Sequence, residues 1–450
     1  MNDLQSVKLG ELLNSLKTGL NPRDNFKLNT PDAENWYITV RELNGLGVDF
    51  LSQTDKVNNH GLKLINNRSN LEVGDVLFSG TGTIGKTAII DKHPTNWNIK
   101  EGVYTLKPNK DKLESYYLMY LLKHLNNLNV FNKISAGSTV FSVPMRSLEE
   151  LKIQIHILSE QIKISNVLKA LDFKIELNNR INAKLEAMAK TLYDYWFVQF
   201  NFPDKNGKPY KTSGGKMVWN EELKREIPEG WQVKFLRTEI EIQRGISYTS
   251  IEINGDGIPM INLNSFNLDG TYKSEGVKKY SGKFSEKNIV KSGDLLIAAT
   301  DVTRNADIIG KAILVPDYYK EDLVFSMDIA KIISKHIPSS FLMILFNSNH
   351  YHNYIKWYAS GTIVLHLNLD GVQRYQTELP PTILMKQYDD FYLPIANRIY
   401  MTAKENEKLT ELRDWLLPML MNGQVKVKDE KESELSMAAE PATTYKKSRT

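Results

Sequence analysis

Gly74-Asp75-Val76-Leu77-Phe78, followed by Ile84-Gly85-Lys86 and Ala88-Ile89, is answered further along the chain. The echo is Gly293-Asp294-Leu295-Leu296-Ile297, then Ile309-Gly310-Lys311 and Ala312-Ile313. A second echo joins Ala136-Gly137-Ser138-Thr139-Val140 to Ser360-Gly361-Thr362-Ile363-Val364. Gly361 lies 224 positions beyond Gly137, and the same shift carries Ile175 to Ile399, Asn182 to Asn406, Lys184 to Lys408 and Leu185 to Leu409. One shift held from a glycine turn through a helical stretch marks a tandem duplication of a unit about 220 residues long. Two copies are too few for a solenoid and predict an approximate two-fold within one chain.

Each copy has the same grammar. Short β-branched and aromatic runs, such as Trp36-Tyr37-Ile38-Thr39-Val40 and Val103-Tyr104-Thr105-Leu106, are split by Gly, Asn and Asp and read as strands and turns. A long helical stretch follows. In the first copy Ile164, Leu168, Leu171, Ile175, Asn178, Asn182, Leu185 and Ala189 step by four and three alternately. Shifted by 224 they become Tyr388, Tyr392, Ile395, Ile399, Thr402, Asn406, Leu409 and Arg413. That is a coiled-coil seam with a polar middle, in both copies. Asn178, Asn182, Leu185, Thr402, Asn406 and Leu409 are its candidate helix-pairing residues. Asp172 is a candidate N-cap and Pro394 fits a helix start, giving a helix of about 39 Å from Asp172 to Phe197. Pro418 is expected to kink the second helix.

The expected fold class is α+β: a duplicated mixed α/β domain followed each time by a long helix, the two helices pairing as an antiparallel coiled coil. The expected boundaries are 1–158 for the first domain, 159–200 for the central helical region, and 201–230 for a linker. The second domain takes 231–381, the distal helical region 382–423, and a disordered tail 424–450.

Composition narrows the function classes. A chain of 450 residues predicts two to four domains. Apolar residues make up 41% and charged residues 24%, a globular balance. The chain has no cysteine, which removes disulfides, thiolate metal sites and cysteine nucleophiles together. No apolar run reaches membrane-spanning length and no secretory leader is visible, so a cytoplasmic protein is expected. The net charge of +4 permits local basic patches without demanding them.

Gly80-Thr81-Gly82-Thr83-Ile84-Gly85-Lys86-Thr87 matches the phosphate-loop pattern G-x-x-x-x-G-K-[ST]. Such a loop must open a helix, whose N-terminal N–H groups hold the phosphate. Here Ala88-Ile89-Ile90 leads instead to Pro94, and the second copy has Ala312 where the hydroxyl should be, so a strand–turn–strand element is expected. A self-contained enzyme binding a nucleotide or S-adenosylmethionine through this loop is the alternative reading. Pro203-Asp204 with Glu222-Leu223-Lys224 imitates a nuclease site but falls in the expected linker, with no strand to hold its carboxylates. His350 and His352 lack a third ligand at a recognisable spacing. No catalytic constellation, metal site or cofactor site emerges.

Nucleic-acid contact suits the remaining polar residues better. Lys17 and Arg23 sit early in the first copy, Arg244 and Tyr248 at the matching place in the second. Arg41 corresponds roughly to Asn262 or Asn264. Lys86, Ser138, Thr139, Arg304, Lys311 and Thr362 occupy the glycine-marked turns. Arg and Asn can bond base edges bidentately, whereas Lys, Ser and Thr suit phosphates.

The ordered set resembles the specificity subunit of type I restriction–modification enzymes over nearly the whole length, to about Gly423. The Gly-Asp and Ile-Gly-Lys stretches carry the resemblance. So do Leu185-Glu186-Ala187-Met188 through Tyr195-Trp196-Phe197, Leu412-Arg413-Asp414-Trp415 through Leu420, and Ile227-Pro228-Glu229-Gly230-Trp231. Ile155-His156-Ile157 departs from the family's prolines, present at Leu379-Pro380-Pro381. The resemblance implies a non-catalytic reader of double-stranded DNA without a cofactor of its own, each domain taking one half of a split target. It implies helices that set the spacing and dock two modification (methyltransferase) subunits, with restriction (translocase/nuclease) subunits joining.

Overall fold

The computed structural model describes residues 4–23, 25–253, 255–319 and 321–428. They form two compact units, one holding residues up to Glu176 together with those from Lys408 onward, the other Leu177–Glu407.

In the first unit Leu13–Thr18, Val103–Pro108, Val76–Ser79 and Thr87–Ile89 lie side by side, in that order, as an antiparallel sheet. Val76–Ser79 is buried on both faces, which explains its unbroken Val-Leu-Phe run. A smaller sheet sets Asn35–Ile38 between Lys56–Val57 and a parallel partner, Trp97–Ile99. Gln5–Lys8 pairs with Lys152–Ile155, so the start of the domain is clipped to its exit.

The second unit repeats this plan. Its four-stranded sheet runs Ile240–Arg244, Ile329–Ser334, Leu295–Ala298, Ala312–Leu314. Its other sheet has four strands, one more than in the first unit, and again contains a parallel pair, Ile258–Ile261 with Leu323–Phe325. The clip recurs as Gln232–Phe235 against Gln376–Leu379. The expected α+β duplication is thus the observed architecture.

Two long helices follow the domains, Leu158–Tyr193 with 36 residues and Thr382–Met421 with 40. At 1.5 Å per residue they are about 54 and 60 Å long, well beyond the 39 Å expected. Two local expectations fail for one reason, that packing overrides end signals. Asp172 lies inside the first helix and caps nothing. Pro394 lies in the fourth turn of the second, not at its start, on a solvent-exposed position where only one backbone bond is forgone. Pro418 sits in the last turn, just before the helix stops.

The first helix ends in a π-turn, Asp194–Val198, and Phe200 takes a left-handed φ of 62°. This swings Phe197 and Phe200 inward, with the Phe197 ring 5.0 Å from Phe341 and 5.3 Å from Tyr388. The segment 201–230 is not a bare linker. Met217–Asn220 and Arg225–Pro228 form an antiparallel hairpin, and Phe202, Met217, Val218 and Ile227 join the core of the second unit. Its strands are only four residues long and half-polar, too short to show an apolar period in the sequence. Glu222 lies in the exposed hairpin turn, far from a ligand-holding setting. Beyond Lys428, the expected disordered tail lies outside the described residues.

Candidate nucleic-acid interface

In the first unit the Gly80–Thr87 stretch is the turn of a hairpin whose strands register Val76 with Ile89 and Phe78 with Thr87. The Lys86 amide donates to Ser79 Oγ at 2.8 Å. No helix follows that could present N–H groups to a phosphate, so the loop is built as strand–turn–strand. Beside it stands the loop carrying Ser138 and Thr139. The Gly82 amide donates to the Phe141 carbonyl at 3.0 Å, and Val143 donates to Gly80 at 2.8 Å. Ser138, Thr139, Val140 and Phe141 are all exposed.

Lys86 reaches the other way and donates to the Val40 carbonyl at 3.4 Å. It therefore shares a site with Arg41, which projects into solvent from the turn Val40–Glu42. Glu42 is buried beneath that turn. Its carboxylate accepts from the Thr39 amide at 2.8 Å and hydroxyl at 2.7 Å, and from the Thr54 hydroxyl at 3.0 Å. Glu42 Oε1 also lies 3.7 Å from the Arg41 guanidinium, so it fixes both the turn and the side chain.

The second unit builds the same two features differently. Asn262 is the buried cap of the turn Leu263–Ser265, accepting from the Asn264 amide at 2.9 Å and donating to Gly276 at 2.7 Å. Both turns are capping boxes, so Asn264 stands where Arg41 stands, and it too is exposed. Lys311 donates to the Leu268 carbonyl at 2.6 Å, and burial depresses its pKa. Arg304 projects from a loop organised by buried Asp301, whose carboxylate takes amides from Thr303, Ile308 and Ile309 at 2.6, 2.6 and 2.9 Å. Thr300–Asp301 pairs with Leu365–Leu367, which pairs with Ala359–Ser360, so the loop bearing Thr362 is held beside the Arg304 loop. Trp357 and Ile363 are 88% and 86% exposed, apolar side chains that no periodicity flagged.

Lys17 and Arg244 lie on sheet strands, opposite Thr105 and Ala330. Arg23 is on an exposed loop, and Tyr248 lies under the Lys278 ammonium at 5.5 Å. Among the described residues no hydrogen bond joins these four side chains to the loop clusters. His350 is exposed, and burial lowers the His352 pKa; no group of three His, Asp or Glu among the described residues could hold a metal ion.

Gly137 and Gly361 set the paired loops. Their φ angles are +125° and +134°, and a Cβ would stand 2.3 Å from the Val140 carbonyl oxygen and 2.1 Å from that of Val364. Gly361→Ala should therefore cost about 1–3 kcal/mol. Urea unfolding would register it, with faster amide exchange over 360–364; unchanged stability and exchange would mean the turn is not constrained.

Of the helix-pairing residues, Asn178, Asn182, Leu185, Thr402 and Asn406 lie in the second unit and Leu409 in the first. Asn178 donates to Asn406 Oδ1 at 2.8 Å and to Glu405 at 2.9 Å, and Asn406 donates to Asn179 at 2.8 Å. Asn182 donates to the Ile399 carbonyl at 3.3 Å. Thr402 turns back to its own helix, on Arg398. Leu185 packs at the margin of the second unit's core, and Leu409 is half-buried.

Residues 1–187 match the model of the type I restriction modification DNA specificity domain. A type I restriction enzyme specificity subunit, MjaIX of Methanocaldococcus jannaschii, is 28% identical over 376 residues, spanning 79% of this chain and 78% of its own length. This chain is similar to the type I restriction–modification specificity subunits. The HindI specificity subunit of Haemophilus influenzae is 22% identical over 412 residues, with 79% of this chain and 87% of that one covered. The fold matches the crystal structure of a type I S subunit from M. genitalium at a TM-score of 0.60 and 14% identity, covering 93% and 96% of the two chains. The specificity subunit is the DNA-recognition component of such a system and not a catalytic one. The nucleotide- or S-adenosylmethionine-using alternative has no support. No helix among the described residues is long and apolar enough to cross a membrane.

Proposed function

We propose that the two domains of this specificity subunit read the two halves of a split DNA target through their exposed turns. The observation that carries this reading is the doubled site: one turn after the parallel strand presents Arg41 in the first domain and Asn264 in the second. The same position with a different side chain suits one binding mode and two base preferences, arginine favouring guanine and asparagine adenine. Lys86, Lys311, Ser138, Thr139, Arg304 and Thr362 would hold the backbone beside these readers, with Lys17, Arg23, Arg244 and Tyr248 as outer contacts. The helical regions would set the distance between the half-sites and dock two modification subunits, with restriction subunits joining that complex in the cytoplasm. The domain limits remain those proposed from sequence, 1–158 and 231–381, with the helical regions 159–200 and 382–423.

Arg41→Ala in the assembled complex should weaken binding by about 1–3 kcal/mol and relax the methylated motif at one position of one half. Asn264→Ala should relax the other half only. Methylome sequencing with each variant is the test. A loss equal across all sequences would make Arg41 a phosphate contact, and changes in both halves from one variant would end the two-reader model.

A further inference from the structure

Two loops of the same build hold apolar side chains out in water. In the first unit the Ala136 amide donates to the Ser142 carbonyl at 2.8 Å, and the Ser142 amide donates back to Ala136 at 2.9 Å. That pair closes residues 137–141 into a tight loop, and Ser142 also bridges to Thr81. In the second unit Ser360 pairs with His366, and His366 pairs with Thr300. The 224-residue shift carries Ala136 to Ser360 and Ser142 to His366, while the 219-residue shift that joins Gly74 to Gly293 carries Thr81 to Thr300. Each loop is therefore closed at the same place by the same three chain segments.

Both loops open on a left-handed glycine, Gly137 or Gly361, with the Val140 or Val364 carbonyl pressed against it. This fixes a shape that leaves the apolar side chains outside. Val140 and Phe141 are 58% and 54% exposed in the first loop, and Ile363 is 86% exposed beside exposed Val364 in the second. Neither loop contains a carboxylate. Ser138, Thr139 and Thr362 add exposed hydroxyls, and exposed Arg304 stands on the loop held beside the second tip. Asp301, the carboxylate nearest along that loop, is buried and taken up by three amides.

Two adjacent apolar side chains are too little surface for a protein contact, in which each partner commits about 800 Å². They suit a single base-pair step. Hydroxyls and a guanidinium around an apolar tip match phosphates around stacked bases. We propose that each loop tip is a wedge: Val140 in the first domain and Ile363 in the second enter between neighbouring base pairs of their half-sites and unstack that step. The proposal rests on the reading of the two domains as half-site readers and adds an action to it, local deformation of the duplex. Pyrimidine–purine steps unstack most easily, so the wedge favours them without a polar contact to either base. The second tip is the more exposed and has Ile363 where the first has Thr139, so the second half-site is distorted more.

The test uses the assembled complex and duplexes carrying its methylated motif, with 2-aminopurine at one step at a time, away from the methylated adenine. This base brightens when it loses its stacking neighbours. One step in each half should brighten on binding, the one in the second half more. Ile363→Ser should abolish the rise in the second half and leave the first, Val140→Ser should do the reverse, and Ile363→Leu should keep both. These are exposed loop positions, so the fold tolerates the changes. No rise with the wild-type complex, or a rise that survives the serine variants, would overturn the inference. The proposed function would still stand if Arg41→Ala and Asn264→Ala each relax one half of the motif. Modification subunits lost from the Ile363→Ser complex, counted by mass photometry, would assign the tip to a protein contact and overturn the wedge as well. A motif unchanged by Arg41→Ala and Asn264→Ala would instead count against the readers, whatever the fluorescence shows.

Discussion

Four residues inserted after Asn182 and four after Asn406 should lengthen the non-specific spacer of the methylated motif by about two base pairs. Within the second unit the helices are antiparallel, with Asn178 against Asn406, Asn182 against Ile399 and Tyr388 donating to the Ala189 carbonyl. Within the first, Arg413 meets Asp172. Matched insertions in an antiparallel pair let both sets of outer contacts keep their partners while the middle grows. Four residues add about 6 Å of helix, against about 3.4 Å per base pair. They also rotate the seam by only about 40°, since four residues slightly exceed one turn. The cost is the asparagine cluster: Asn178, Asn179 and Asn182 stay with one end and Ile399, Glu405 and Asn406 with the other, so the bonds between them are lost. Methylome sequencing reads the spacer directly. An active variant whose spacer is unchanged would falsify the view that helix length is the ruler.

The duplication was legible in the sequence because its marks are local. A Gly-Asp turn, an Ile-Gly-Lys turn and a Ser-Gly-Thr turn each depend on a few adjacent residues, and the shift between copies needs only counting. The asparagines of the seam were legible for the same reason. What escaped the sequence depends on long-range packing. Asp172 has the side chain of a helix cap, yet it lies mid-helix because Arg413, more than two hundred positions away, answers it. Glu42 reads as one more surface carboxylate, yet it is buried under Arg41 and holds the turn. The 217–228 hairpin has too little apolar pattern to announce itself and depends on Phe202 and Trp231 for cover. Trp357 and Ile363 carried no periodic signal, because loop tips have none.

Removing one member of the Asp172–Arg413 pair should be the most destabilising single change in the first unit outside its apolar core. The guanidinium Nη1 lies 2.6 Å from Asp172 Oδ1, and the side chains are 16% and 11% exposed. Tyr120 donates to the other carboxylate oxygen at 2.7 Å, and Arg413 also meets Asp414 at 2.8 Å. The duplication supplies the control. Under the 224-residue shift Asp172 corresponds to Ala396 and Arg413 to Ala189, two buried alanines in the core of the second unit. The fold therefore accepts an apolar contact at this crossing, and the ion pair is particular to one end. Burying a charge pair returns little net stability, but leaving half of one is costly, because the remaining charge loses both water and partner. Asp172→Ala should cost about 3–5 kcal/mol by urea unfolding, with the Tyr120 hydroxyl left without its acceptor and Arg413 left with only the half-exposed Asp414. Asp172→Leu combined with Arg413→Leu should recover most of that loss and can exceed wild-type stability. A single-variant cost under about 1 kcal/mol would place the pair effectively in solvent. A double variant no better than Asp172→Ala alone would mean that the pair is required by its surroundings, against the precedent of the alanines at the other end.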